Sequence, residues 1–199
     1  MHPEHLALLQ QAPASTHADD TWARLCCEQA LLAVEDGCYA VGALLVDGAG
    51  ELLCNGRNQV FAPAYASAAH AEMQVLDQLE AEHAQVDRRG LTLYVSLEPC
   101  LMCYGRILLA GITRVRYLAR DRDGGFALRH GRLPPAWANL ASGLSVVQAK
   151  ADPYWLDLAE HAIGRLQDRQ TLRQRVIQAW RGQRTLTDEF SSTKRTHSG

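Results

Sequence analysis

Four short apolar runs set the frame of this chain: VGALLV at 41–46, LTLYV at 91–95, RVRYL at 114–118 and LSVVQ at 144–148. Each has the length of a strand, and the stretches between them carry the three- and four-residue apolar spacing of helices. From Asp20, the residues Trp22, Leu25, Cys26, Leu31 and Leu32 recur mostly at that spacing until Glu35–Gly37 closes the segment. AAHAEMQVLDQLE likewise sets Met73, Leu76 and Leu79 on one stripe. Strands alternating with helices predict an α/β sandwich, because a helical crossover favours parallel pairing of the strands it joins. One connection differs. VGALLV runs through DGAG into ELLC at 51–54, and the tight glycine turn predicts an antiparallel hairpin whose strands are both central and buried.

The rest of the chain fits around these elements. Residues 1–18 read as a loosely held arm with one short helical turn around His5–Gln11. Residues 58–66 form a loop containing Pro63, and Pro99 can take the first position of a helix over about 100–110. A long loop carrying Gly124, Gly125, Pro134 and Pro135 separates the last two strands, and a loop of that length in a compact domain is usually functional. Asp152 followed by Pro153 starts a helix through Trp155, Leu158, Ile163 and Leu166, which extends or restarts as far as Trp180. The expected organisation is an arm at 1–18, one domain at 19–181 and a polar tail at 182–199. With 199 residues and 47% apolar content, one domain has enough material for a full core.

No run reaches the roughly 18 apolar residues of a membrane span, and the opening MHPEHLALLQ lacks the layout of a secretory signal, so a cytoplasmic chain is expected. In that compartment the six cysteines are thiols or metal ligands rather than a disulfide framework. Cys26, Cys27, Cys38 and Cys54 lie in apolar stretches and read as small buried hydrophobes. The net charge of −2 divides unevenly, with −10 in residues 1–100 and +8 in residues 101–199. Such a split serves a polyanion-binding face, a subunit interface or an evenly mixed surface.

The remaining cysteines, Cys100 and Cys103, follow Pro99 at a helix start, so their sulfurs share a face and the positive end of the helix dipole favours thiolate. His70, opening the preceding helix, adds an imidazole. Two thiolates and one imidazole leave the fourth position of a tetrahedral Zn²⁺ to water, which is the arrangement of a catalytic rather than a structural site. Glu72, two residues after His70, cannot easily share the metal, yet it can reach water there and move its proton.

His-x-Glu followed by Pro-Cys-x-x-Cys resembles the cytidine and deoxycytidylate deaminase superfamily. Residues 22–166 follow that family in order, through VGALLVDGAGELLCNGRN, AAHAEMQVL and LYVSLEPCLMCYGRILLAGITRV. The resemblance implies a three-layer α/β/α sandwich around a central five-stranded mixed sheet. It implies one Zn²⁺ with a bound water, held by His70, Cys100 and Cys103, and Glu72 as the catalytic proton shuttle. It also implies substrate contacts from Asn58 in GRN and from backbone groups of Ala71 and Glu98. The activity implied is hydrolytic removal of an exocyclic amino group from a ring.

Two branches share the resemblance. SAAHAE, Pro-Cys-x-x-Cys-Tyr-Gly and the Gly125-Phe126 pair are similar to guanine-type free-base deaminases, but Ala127, Leu128 and Arg129 stand where that branch carries an acid. The ring expected is therefore a nucleobase, nucleoside or related small heterocycle: guanine-type, another aminopurine, cytosine-like or an aminotriazine. Phe126, His130 or Trp137 would line its pocket. LEPCLMC, ARDRDGG and the arginines at 165, 169, 173, 175, 181 and 184 are instead similar to tRNA adenosine deaminases, though the acidic N-terminal half opposes a broad RNA footprint. A non-catalytic zinc protein of the same fold is the reading from another class, and the retained Glu72 opposes it. Relatives are mostly dimers, so the resemblance implies a homodimer; no membrane partner is expected.

Overall fold

The computed structural model describes residues 1–126 and 133–182. Five strands form one sheet: β1 (Gly42–Val46), β2 (Leu52–Arg57), β3 (Thr92–Leu97), β4 (Arg114–Ala119) and β5 (Ser145–Gln148). Their order is β2-β1-β3-β4-β5, antiparallel across the first two pairings and parallel across the last two. Successive side chains of a strand point to opposite faces, and β1 is buried on both. Leu44 and Val46, with Tyr94 and Leu118, meet helices α2 (Asp20–Glu35) and α6 (Pro153–His161) through Cys26, Cys27, Leu31, Trp155 and Leu158. Ala43 and Leu45, with Leu93, Val95 and Val115, meet α3 (Ala71–Glu82) and α4 (Leu101–Leu109) through Val75, Leu76, Leu79 and Ile107. The result is the expected three-layer sandwich with a five-stranded mixed sheet.

Contact between α2 and β1 is close enough to require glycine at 42. A Cβ there would sit 2.5 Å from Gln29 Cβ and 2.8 Å from the Ala30 amide, with Cys26 backbone nearer still. The second hairpin strand departs from expectation. β2 lies at the sheet edge, Leu52 is exposed, and only Cys54 in it is buried. The reason is the sheet order: β1 pairs its other edge with β3, so β2 has no outer neighbour.

The N-terminal segment forms an eight-residue helix, α1 (Pro3–Gln10), longer than the single turn expected. Leu9 is buried, His5 bonds Glu35 at 2.8 Å, and the Tyr154 hydroxyl donates to the Leu8 carbonyl. The long loop after β4 contains a helix the sequence did not announce, α5 (Pro135–Ala141). Asp152 caps α6 by accepting from the Tyr154 amide at 2.9 Å, as its sequence signal predicts. One π turn, Ala162–Leu166, then leads to α7 (Arg169–Trp180), so the C-terminal helix restarts rather than extends. Residues 183–199, which hold nearly all of the expected polar tail and Arg184, lie outside the described residues. Among the described residues no helix is long and apolar enough to cross a membrane. Cys26, Cys27, Cys38 and Cys54 are buried free thiols.

Candidate metal centre and its cavity

Two helix starts build the site. His70 is the residue before α3 in extended backbone, and Cys100 occupies the same place before α4. Pro99 therefore precedes the helix cap instead of taking the first helical position. The extended conformation of Cys100 has a use: it pairs as an isolated antiparallel bridge with Gly125, while the Pro99 carbonyl accepts from the Phe126 amide at 3.0 Å. Cys103 lies in the first turn of α4 and is fully buried.

His70 Nδ1 stands 3.8 Å from Cys100 Sγ and 3.5 Å from Cys103 Sγ, and all three ligand atoms lie within 4.8 Å of one another. Tetrahedral zinc, with Zn–S near 2.3 Å and Zn–N near 2.0 Å, sets sulfur and nitrogen about 3.5 Å apart. The donor set therefore fits the ion in chemistry and in spacing. Cys100 is pulled down to about 4 chiefly by the hydrogen bond from Cys103, against burial and with help from His70. Cys103 is pushed up by that same bond and by burial. A metal takes cysteine as thiolate, so its binding displaces protons from the pair.

Glu72, the second residue of α3, is buried, and burial pushes its carboxyl up although its own backbone amide and His70 oppose this. It faces a cavity of about 580 Å³ together with His70, Cys100, Asn58 and Glu98. Asn58 is buried, with its backbone amide on the Val41 carbonyl at 2.9 Å and its Oδ1 accepting from the Val60 amide at 3.1 Å. The Glu98 amide donates to the Ala119 carbonyl at 2.8 Å, and its carboxylate lies 3.8 Å from Arg120. Ala71 is fully buried at the first turn of α3.

Two expected pocket residues lie elsewhere. Phe126 does not line this cavity; its ring packs edge-on against Tyr104 with centroids 5.1 Å apart. Trp137 covers Gly105 of α4 and belongs to a separate apolar groove with Met73, Leu101, Met102 and Leu109. The bond from Phe126 to Pro99 and the helix α5 carry both rings to α4. His130, Ala127, Leu128 and Arg129 lie outside the described residues.

In place of those rings the cavity is walled by Tyr39 and Leu97 and by residues of the C-terminal helices, Glu160, Ile163, Gln167 and Arg169. Its rim carries Arg120, Asp121, Arg122 and Asp123. Of the arginines expected to track phosphates, Arg175 is engaged internally: its guanidinium stacks 4.1 Å from the Phe61 ring and donates to the Gly37 carbonyl at 2.5 Å. Of this lining the sequence singles out Arg169 for its charge, Ile163 as part of a helix face and residues 120–123 within ARDRDGG. Gln167 gave no signal.

The sequence profile of the cytidine and deoxycytidylate deaminase zinc-binding region matches residues 16–119, which include the whole metal set. The chain belongs to this deaminase family. Its metal group is the zinc site of such a domain, and zinc is the cofactor. A tRNA-specific adenosine deaminase of Bacillus subtilis is 36% identical over 107 residues, covering 54% of this chain and 65% of that enzyme. The tRNA-specific adenosine deaminase 2 of Danio rerio is 34% identical over 131 residues, 62% of this chain and 58% of its own length. The chain thus spans about two thirds or less of these relatives. A solved tRNA:A34 deaminase aligns at 31% identity and TM-score 0.53, covering 58% of this chain and 89% of its own. A guanine deaminase of Nitrosomonas europaea shares the fold at TM-score 0.57 and 24% identity, over 82% of this chain and 94% of its own.

Proposed function

We propose that the protein is a zinc-dependent hydrolytic deaminase of a small aminated heterocycle, a nucleobase or close relative. The carrying observation is the cavity itself: His70, Cys100, Glu72 and Asn58 face one volume of about 580 Å³ that the C-terminal helices wall off. That volume lies in the range of small-molecule sites.

His70, Cys100 and Cys103 would hold the zinc, which when bound would supply a Lewis acid able to make water nucleophilic near neutral pH. Glu72 would take the two protons of the attacking water in turn, passing the first to a ring nitrogen and the second, from the added oxygen, to the departing amine. The ring carbon gains oxygen and loses nitrogen, so the products are the oxo ring and ammonia. Asn58, its Oδ1 already held by the Val60 amide, offers its NH₂ group to an acceptor on the ring. The Glu98 amide is committed to Ala119, so its carbonyl is the backbone group it can offer to the amine. Ala71, at a helix start, offers an amide that has no partner within the helix.

A tRNA substrate is the second reading, favoured by the 36% identity to the Bacillus subtilis enzyme. It ranks below the first because the rim alternates sign, with Arg120, Arg122 and Arg169 set among Asp121, Asp123 and Glu160, whereas phosphate contacts dominate nucleic-acid affinity. Ammonia release from zinc-loaded protein offered guanine, adenine, cytosine, their nucleosides, aminotriazines and a tRNA anticodon stem-loop separates the two. Turnover of a free base or nucleoside is expected; turnover of the stem-loop alone would overturn the first reading.

A further inference from the structure

The wall formed by the C-terminal helices lies beyond residue 119, where the match to the family profile ends. It is nevertheless wired into the site. Gln167, buried between the π turn and α7, accepts the Ala40 amide on its Oε1 at 2.8 Å and donates from Nε2 to the Ile163 carbonyl at 2.8 Å. Ala40 leads into Val41, whose carbonyl holds the Asn58 amide. One side chain therefore joins the wall residue Ile163 to the segment just before β1 that holds Asn58. Two residues further on, Arg169 opens α7 and lines the cavity. The helix start behind it is fixed, since the Asp168 carboxylate accepts the Gln170 and Thr171 amides at 3.0 and 3.2 Å. Arg175 fastens the same helix to Gly37 and Phe61.

Across the cavity mouth the Arg169 guanidinium stands 3.8 Å from the Asp123 carboxylate, with both side chains more than half exposed. An exposed pair at that distance contributes little, so a ligand acceptor can replace Asp123 at small cost. A guanidinium is a planar fork of donors and is always charged, which suits an oxo group on a ring edge.

We infer that Arg169 is a specificity-determining residue that binds an oxo group on the substrate edge away from the departing amine, and that Gln167 is its positioning residue. The inference rests on the small-heterocycle reading and names the feature by which the ring is chosen. Arg120 and Arg122 are further guanidiniums on the same rim, beside the carboxylates of Asp121, Asp123 and Glu160, but neither lies on the wall that Gln167 ties to Ala40.

The test compares rings that differ in the oxo group: guanine against 2-aminopurine, and cytosine against 4-aminopyrimidine. In zinc-loaded Arg169→Ala the preference in kcat/KM for the oxo ring is expected to fall about tenfold or more, the scale of a hydrogen bond to a charged donor, and mainly through KM. Arg169→Lys should restore part of it. Gln167→Leu should reproduce the loss, and the double variant should lose no more preference than Arg169→Ala alone, which a merely structural role for Gln167 would not produce. Equal changes for both rings of a pair, or no change, would overturn the inference. Quenching of 2-aminopurine fluorescence, with guanine or cytosine as competitor, keeps the two readings apart. Binding of the oxo ring weakened about tenfold by Arg169→Ala, with no ammonia from any ring, would retain the recognition role and sink the deaminase reading; failure of every ring to bind would sink both.

Discussion

Gly125 is the most exacting position beside the metal centre, and replacing it with alanine tests how the rim holds Cys100. A Cβ at 125 would lie 2.5 Å from the Asp121 carbonyl, 2.5 Å from Glu98 Cδ and 2.7 Å from Glu98 Oε2. The backbone here does not have the positive φ that would itself demand glycine, so the effect is steric. Overpacking in a filled interior costs about 1–3 kcal/mol, and three contacts this short, one with backbone and two with a buried carboxylate, place the cost near about 3 kcal/mol. For a domain of this size that lowers Tm by about 6–12 °C. Relief must come from moving the 121–126 loop, which breaks the Cys100–Gly125 bridge and loosens a zinc ligand. Calorimetry of the zinc-loaded variant, with chelator competition for the metal, reads both effects. Gly164→Ala is the control, because nothing lies within 4 Å of its added Cβ. A Gly125→Ala protein that melts with the wild type and holds zinc as tightly would show that the rim does not hold Cys100 through this contact.

Two further outcomes follow from the site and its support. Cys103→Ala should lose zinc, since two protein ligands rarely hold the ion; stoichiometric zinc after dialysis would show that another residue ligates. Asp20 is buried and accepts the Asp152, His17 and Thr16 amides at 2.6, 2.7 and 2.8 Å; burial pushes its carboxyl up, but these bonds more than offset that and hold it below its ordinary value of 3.8. Its contribution is therefore complete above that value and lost as pH falls through the lower folded one. Asp20→Asn should cost about 2–4 kcal/mol near pH 7, with the gap to wild type closing below about pH 3.8 in matched melts; a gap independent of pH would refute the assignment.

What the sequence made legible was what short spacing controls. The period of Trp22 to Leu32 reports α2, the Asp152-Pro153 pair reports the start of α6, and Cys100 with Cys103 after Pro99 reports a metal pair at a helix start. The edge position of β2 was not legible, because it depends on which strand takes the other side of β1. That Phe126 and Trp137 pack on α4 rather than line the cavity beside Glu72 was not legible for a related reason: the path of the loop after β4 is set by backbone bonds to Pro99 and by packing on α4. The C-terminal wall was hidden by distance along the chain, since the bond from Gln167 to Ala40 spans 127 residues. No local pattern marks such a glutamine.

In the reaction proposed above, Glu72 moves protons beside zinc held by three other residues. The most direct test of that role measures bound zinc and ammonia release together, for wild type and Glu72→Ala, on whichever ring of the panel turns over fastest. The variant is expected to keep one zinc per chain while ammonia release falls by at least about a hundredfold, the scale of a general acid–base contribution. Near-normal ammonia release from Glu72→Ala with its zinc in place would contradict that role.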